Sequence, residues 1–126
     1  MDKFIAAGID ILAPSIVNVH GDYGSSGPAP GQIHFDKLAA IDKQINSRVL
    51  IALHGTNDFP STVMRQAINN GAVKLNVNKL LLEVWNKFLR GNASTMPLVK
   101  LIDEGMQVLQ QETERWMDIC ESSGKA

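Results

Sequence analysis

Two histidine-glycine pairs, His20-Gly21 and His54-Gly55, each close an apolar stretch of the chain. Imidazole nitrogen is a common ligand for transition metals, and a catalytic metal keeps one position open for substrate beside its protein ligands. Ligands at the ends of parallel strands meet that demand, because the strand ends gather at one rim of the sheet. The order strand, His-Gly, helix, strand, His-Gly, helix, strand therefore predicts half of a catalytic metal site. Both rings are expected at the same end of adjacent strands, close enough to touch a single ion.

The elements that must carry these residues alternate in type. Met1 to Gly8 reads as the tail of a helix stopped by Gly8. Ile9 to Val19 is dense in Ile, Val and Leu, as a strand covered on both faces would be. Gly21 to Gly31 is rich in Gly, Pro and Ser and reads as a loop at that strand's carboxyl end. Phe35 to Ile45 has apolar residues at helical spacing and ends at Asn46-Ser47. A second strand follows over Val49 to Leu53, then a helix opened by Pro60-Ser61 and closed by Gly71, with Val63, Ala67 and Ile68 on one face. Ala72 to Val77 is a third strand. An apolar helix starts at Lys79 and is broken at Gly91-Asn92, and a long helix runs from about Pro97 to Cys120.

Alternating strands and helices predict an α/β fold with a parallel sheet, read as one domain over 1–126. The chain has 126 residues, whereas a complete (β/α)8 barrel takes about 250. Three strands alone leave open edges and apolar surface, which argues for a partner or a missing half. With 44% hydrophobic and 20% charged residues and a net charge of −1, neither a nucleic acid nor an anionic membrane is an expected partner. The single cysteine, Cys120, cannot form an intramolecular disulfide and suits a reducing compartment. No signal peptide or membrane-spanning run is legible, so the cytoplasm is the expected location.

The segments Gly8-Ile9-Asp10-Ile11-Leu12-Ala13, His20-Gly21, Leu53-His54-Gly55 and Gly71-Ala72-Val73-Lys74-Leu75-Asn76-Val77-Asn78 occur in an order that resembles the C-terminal half of the class II, metal-dependent ketose-bisphosphate aldolases. The ending Ser122-Ser123-Gly124-Lys125-Ala126 is similar to the family's Gly-Lys-Ala terminus. The resemblance implies the last three strands of a (β/α)8 TIM barrel, with the first five absent. It implies a lyase that cleaves fructose 1,6-bisphosphate or a related ketose bisphosphate to dihydroxyacetone phosphate and an aldehyde. Zinc, held by three histidines, is the implied cofactor. His20 and His54 match two of these ligands by motif, while the third, and the aspartate that handles the proton, match nothing in this chain. Gly21 and Gly55 correspond to the phosphate cradle, where backbone N–H groups meet the anion and a missing Cβ allows close approach. Asn76 matches the asparagine that contacts the ketone half of the substrate.

Two departures bear on substrate. The family's usual Gly-Gly-Ser-Gly is replaced by Gly55-Thr56-Asn57-Asp58, which puts an amide at Asn57 and an acid beside the implied phosphate site. The usual Asp or Asn followed by Thr is Asn78-Lys79 here, and the Lys79 ammonium is expected to offset Asp58 or to bind phosphate. Asn57, Asn78 and Lys79 therefore join the candidate substrate residues.

Other prominent residues have plainer readings. His34 is expected to be a surface or capping residue, Asp10 a structural acid, and Cys120 a packing residue with Leu109, Trp116 and Met117. Trp85 and Phe88 read as core or interface, and Glu112, Glu114 and Arg115 as a solvated helix face. The competing function is that of a truncated, non-catalytic homologue serving as an interaction module. On the enzyme reading, the chain is expected to form a homo-oligomer or to associate with the missing N-terminal half, and to be nearly inactive alone.

Overall fold

The computed structural model describes residues 1–125, so Ala126, the last residue of the Gly-Lys-Ala ending, lies outside the described residues. The chain forms two compact units, Met1–Asn76 and Val77–Ala126.

The first unit runs α1 (Asp2–Ala6), β1 (Ile11–Leu12), α2 (Phe35–Ile45), β2 (Leu50–Leu53), α3 (Ser61–Asn69) and β3 (Lys74–Leu75). Its three strands are parallel in the order β1-β2-β3, with Ile11 opposite Leu50, Leu12 opposite Ile51, Ala52 opposite Lys74 and Leu53 opposite Leu75. Helices between successive strands are what parallel pairing requires, since a hairpin turn cannot return the chain in the same direction. The core gathers Ile51 and Leu53 of β2, Leu38 and Ile45 of α2, Met64 and Ala67 of α3, and the loop residues Ile16 and Phe59. Ile11, Leu50 and Val73, one on or beside each strand, remain exposed.

Periodicity placed α2 and α3 well. Asn46 ends α2 in the left-handed conformation, which Asn tolerates better than most residues, and Gly71, at φ +104°, follows α3. On α3, however, Met64 and Ala67 are fully buried while Val63 and Ile68 are only half-buried. The first strand is far shorter than the Ile9 to Val19 run suggests, pairing only at Ile11–Leu12. Pro14 has no N–H to give a ladder, and Val17 takes φ +71°, so the segment leaves the sheet. Asn18 replaces the lost pairing: its Oδ1 accepts from Ile16 N at 2.8 Å and its Nδ2 donates to the His54 carbonyl at 2.7 Å. The third strand is likewise confined to Lys74–Leu75, with Val73 N–H adding a bond to the Ile51 carbonyl.

The second unit is a pair of helices, α4 (Lys79–Asn92) and α5 (Leu98–Ile119). Helix α4 ends at Asn92, in line with the expected break at Gly91-Asn92, and the Asn92 side chain donates to the Phe88 carbonyl at 2.8 Å in the last turn. Gly105 of α5 is buried, and a Cβ there would lie 2.5 Å from Trp85 Cζ3 and 3.1 Å from Phe88 Cε1 of α4. A residue without a side chain thus lets two aromatic rings approach the α5 backbone. On α5, Trp116 is buried as expected beside half-buried Cys120, but Met117 is exposed. Burial pushes the Cys120 thiol up from its ordinary pKa.

Glu112 is not the solvated residue expected. Only 16% of its side chain is exposed, and it accepts from Arg115 Nη2 at 2.6 Å, from Arg115 Nε at 3.0 Å and from Trp116 Nε1 at 2.8 Å. Hydrogen bonding from Arg115, against the opposing effect of burial, holds its carboxyl below the usual range. Among the described residues, no helix is long and apolar enough to cross a membrane.

Candidate functional site

The rim at the carboxyl end of β2 carries several of the candidate residues. His54 follows the last residue of that strand and is half-buried, while His20 lies on the segment that continues from β1 and is exposed. Their ring centroids are 5.6 Å apart with the planes tilted by 50°. Two imidazoles sharing a tetrahedral zinc, with Zn–N of about 2.0–2.1 Å, hold their ring centres roughly 5 Å apart, close to the observed spacing. No group of three or more His, Cys, Asp or Glu suited to a metal occurs among the described residues. The chain therefore offers two imidazole donors, one fewer protein ligand than a catalytic zinc normally takes.

Gly55 has a geometric reason to be glycine. Its φ is +60°, and a Cβ would fall 2.5 Å from the Val19 carbonyl oxygen. This close approach brings the His54 turn against the segment that carries His20. Gly21 differs: it has no positive φ, and the nearest atom to a Cβ there is Val19 Cγ2 at 4.0 Å. The protein's own backbone therefore demands glycine at Gly55, while at Gly21 no protein atom does.

Tyr23 ties the two turns together. Its Oη accepts from Val19 N at 2.7 Å and reaches the Gly55 carbonyl at 3.4 Å, its backbone N–H donates to Asp58 Oδ2 at 3.0 Å, and its ring packs on Phe59 at 5.5 Å between centroids. Asp58, read from sequence as an acid intruding on a phosphate cradle, thus anchors the glycine-rich loop. Thr56, almost fully buried, donates from Oγ1 to the Asn76 carbonyl at 2.6 Å.

Asn76 follows β3 and faces His54. Its Nδ2 lies 3.0 Å from Nδ1 and 3.2 Å from Nε2 of that ring. An amide NH2 only donates, so the ring nitrogen it engages is the unprotonated one. Lys74 Nζ donates to Asn76 Oδ1 at 2.5 Å. The first unit thus brings His20, His54, Gly55 and Asn76 into one contact network, with half-buried Asn57 following Thr56.

Asn78 and Lys79 belong to the second unit. Asn78 occupies the N-cap position of α4 without a side-chain capping bond, and Lys79 Nζ pairs with Glu83 one turn along the helix at 3.3 Å. His34 stands at the N-cap position of α2, with Nδ1 3.9 Å from Asp36, and Asp10 is exposed, accepting through its backbone carbonyl from Leu50 N. Sequence reasoning missed Asn18, Tyr23, Thr56 and Lys74. Only Lys74 carried a legible signal, since residues two apart on a strand share a face and Lys74 precedes Asn76 by two.

Residues 1–125 match the family model described as fructose-bisphosphate aldolase class-II. A Coccidioides immitis protein provisionally named a fructose-bisphosphate aldolase is 34% identical over 125 residues, covering 99% of this chain and 40% of that protein. The fructose-bisphosphate aldolase of Streptococcus pneumoniae serotype 4 is 30% identical over 135 aligned positions, covering 97% of this chain and 45% of the relative. The crystal structure of a provisionally named fructose-1,6-bisphosphate aldolase from Coccidioides immitis, 34% identical, superposes with a TM-score of 0.88 over 98% of this chain and 42% of that one. The YdjI aldolase of Escherichia coli K12, at 22% identity, shares the fold with a TM-score of 0.81 over 98% of this chain and 44% of its own. The chain spans less than half the length of these relatives.

Proposed function

The chain belongs to the class II fructose-bisphosphate aldolase family and has the fold of the C-terminal part of its barrel, and from that premise we propose that it supplies one side of an aldolase active site. The observation that carries the reading is the 5.6 Å spacing of the His54 ring, which follows β2, and the His20 ring, on the segment that continues from β1. These two residues are the proposed metal ligands, with zinc as the metal and a third ligand from outside this chain. When bound, zinc acts as a Lewis acid that draws charge onto the oxygens of dihydroxyacetone phosphate.

The remaining roles belong to the chain's own residues. Backbone N–H groups at Gly21 and Gly55 are the proposed contacts for the substrate phosphate, with the Asn57 amide beside them. Asn76 offers its NH2 to a substrate oxygen. Asn78 and Lys79 contribute an amide and a cation at the start of α4, the cation shared with Glu83. The substrate class is a ketose bisphosphate that yields dihydroxyacetone phosphate, and the cytoplasm is the proposed location. Exposed Ile11, Leu50 and Val73 support self-association or pairing with a barrel's remaining strands. Because the relatives are named aldolases, the reading as a non-catalytic interaction module is disfavoured.

The test is a zinc titration of the chain followed by the ring nitrogens of His20 and His54 in 15N NMR. Both sets of signals are expected to move together, and His54→Ala is expected to remove the response of His20. Independent responses, or none, would refute the shared site. With zinc added, the chain alone is expected to cleave fructose 1,6-bisphosphate negligibly, since two protein ligands fall short of the usual three.

A further inference from the structure

Resting on the reading of Asn76 as the amide that meets substrate, we propose that Lys74 is its positioning residue, fixing which end of that amide faces the site. Lys74 and Asn76 lie on one face of the β3 segment, and the ammonium donates to Asn76 Oδ1 at 2.5 Å. An ammonium has donors and no acceptor, so only the oxygen end of the amide can face it. The nitrogen end must then turn the other way. It does so, lying 3.0 and 3.2 Å from the two ring nitrogens of His54. Thr56 fixes the backbone from the neighbouring turn through its 2.6 Å bond to the Asn76 carbonyl.

Backbone, oxygen and nitrogen of one residue are thus each held by a different partner. A flipped amide would set NH2 against NH3+, donor against donor, and would give up a charge-assisted hydrogen bond about twice as strong as a neutral one. The consequence is chemical selectivity. Asn76 shows the His20–His54 rim an N–H, which suits a ligand oxygen carrying negative charge and repels a ligand N–H. The neighbouring ammonium also polarises the amide and strengthens it as a donor. Lys74 is exposed, so its replacement leaves the core untouched.

The experiment uses the full 15N-labelled chain at one pH, without metal or substrate. In the wild type, the Asn76 side-chain NH2 is expected to give a resolved pair of signals protected from solvent exchange, with one His54 ring nitrogen showing the shift of a hydrogen-bond acceptor. In Lys74→Met, the pair should move to the position of a solvated amide and exchange about tenfold faster, as for the loss of one charged hydrogen bond. The β3 backbone signals should stay in place, and Lys74→Arg should restore the protected pair. An unchanged Asn76 pair in Lys74→Met, or failure of Lys74→Arg to restore a lost one, would overturn the proposal. The reading of the metal site fails separately, through a zinc titration that leaves His20 and His54 unmoved.

Discussion

At the end of β2, backbone geometry and directed hydrogen bonds set the structure: Gly55 at φ +60° against the Val19 carbonyl, Thr56 bonded to Asn76, and Asn18 bonded to His54. In the α4–α5 pair, two regular helices meet through side-chain shape, with Gly105 against Trp85 and Phe88. The first arrangement tolerates little, because a carbonyl oxygen has no rotamer by which to withdraw. The second is more forgiving, since a ring can turn. Groups that need a fixed spacing are better held by the first kind of contact, and a helix pair can rest on the second.

The largest test of that contrast compares the two glycines of the His-Gly pairs. Gly55→Ala combines a left-handed conformation with a backbone clash and is expected to cost about 2–4 kcal/mol. Gly21→Ala has room for its methyl group and should stay within about 0.5 kcal/mol. Urea denaturation of both variants measures the difference. Equal losses would show that the contact between the Gly55 turn and Val19 does not hold the rim.

Helices and strands differ in how much of them can be read from sequence. The helices were legible because their apolar residues recur at helical spacing and because Asn46, Pro60, Gly71 and Pro97 punctuate them. The first strand was not. Apolar content from Ile9 to Val19 cannot reveal that Pro14 ends the ladder or that Asn18 takes over the bonding. At the candidate site, His20, His54, Gly55 and Asn76 stand out by motif, and parallel pairing of β2 with β3 sets His54 beside Asn76. His20, by contrast, reaches them on a segment that has left the sheet and is held through Asn18 and the Gly55 turn. Tyr23 and Thr56 gain their roles only once turns 32 and 20 residues away in sequence lie against them, which no local pattern encodes. Glu112 misled for a related reason: beside Glu114 and Arg115 it looks solvated until the Trp116 indole turns toward it.

A middle-sized effect is expected at Gly105. Alanine raises helix propensity by about 1 kcal/mol over glycine, but its methyl group would sit 2.5 Å from the Trp85 ring, and overpacking costs about 1–3 kcal/mol. The net expectation is a loss of about 1–2 kcal/mol in urea denaturation, smaller than at Gly55, with a change in Trp85 fluorescence as the ring gives way. A stabilised variant would mean that the ring yields without cost, and would widen the contrast with the rim. A loss matching that of Gly55→Ala would erase it.

The smallest effect concerns pH, and it separates electrostatic from packing contributions within the second unit. Bonds from Arg115 and Trp116 favour the Glu112 carboxylate over its protonated form, so its pKa is lower in the folded chain than in the unfolded one. For an acid depressed in this way, the stabilisation is complete above the unfolded pKa, near the ordinary carboxylate value, and is lost as pH falls through the folded value. Between neutrality and that upper limit it contributes no slope. Arg115 is half exposed, so solvent screens the pair and the contribution should be below about 1 kcal/mol. Glu112→Gln keeps an acceptor for the Trp116 indole while removing the charge. Thermal unfolding of both proteins from pH 7 to pH 3 should show the wild type ahead at neutral pH and the two curves converging in acid. A gap that persists at low pH would assign Glu112 to packing, leaving the helical unit with no titrating support from this pair.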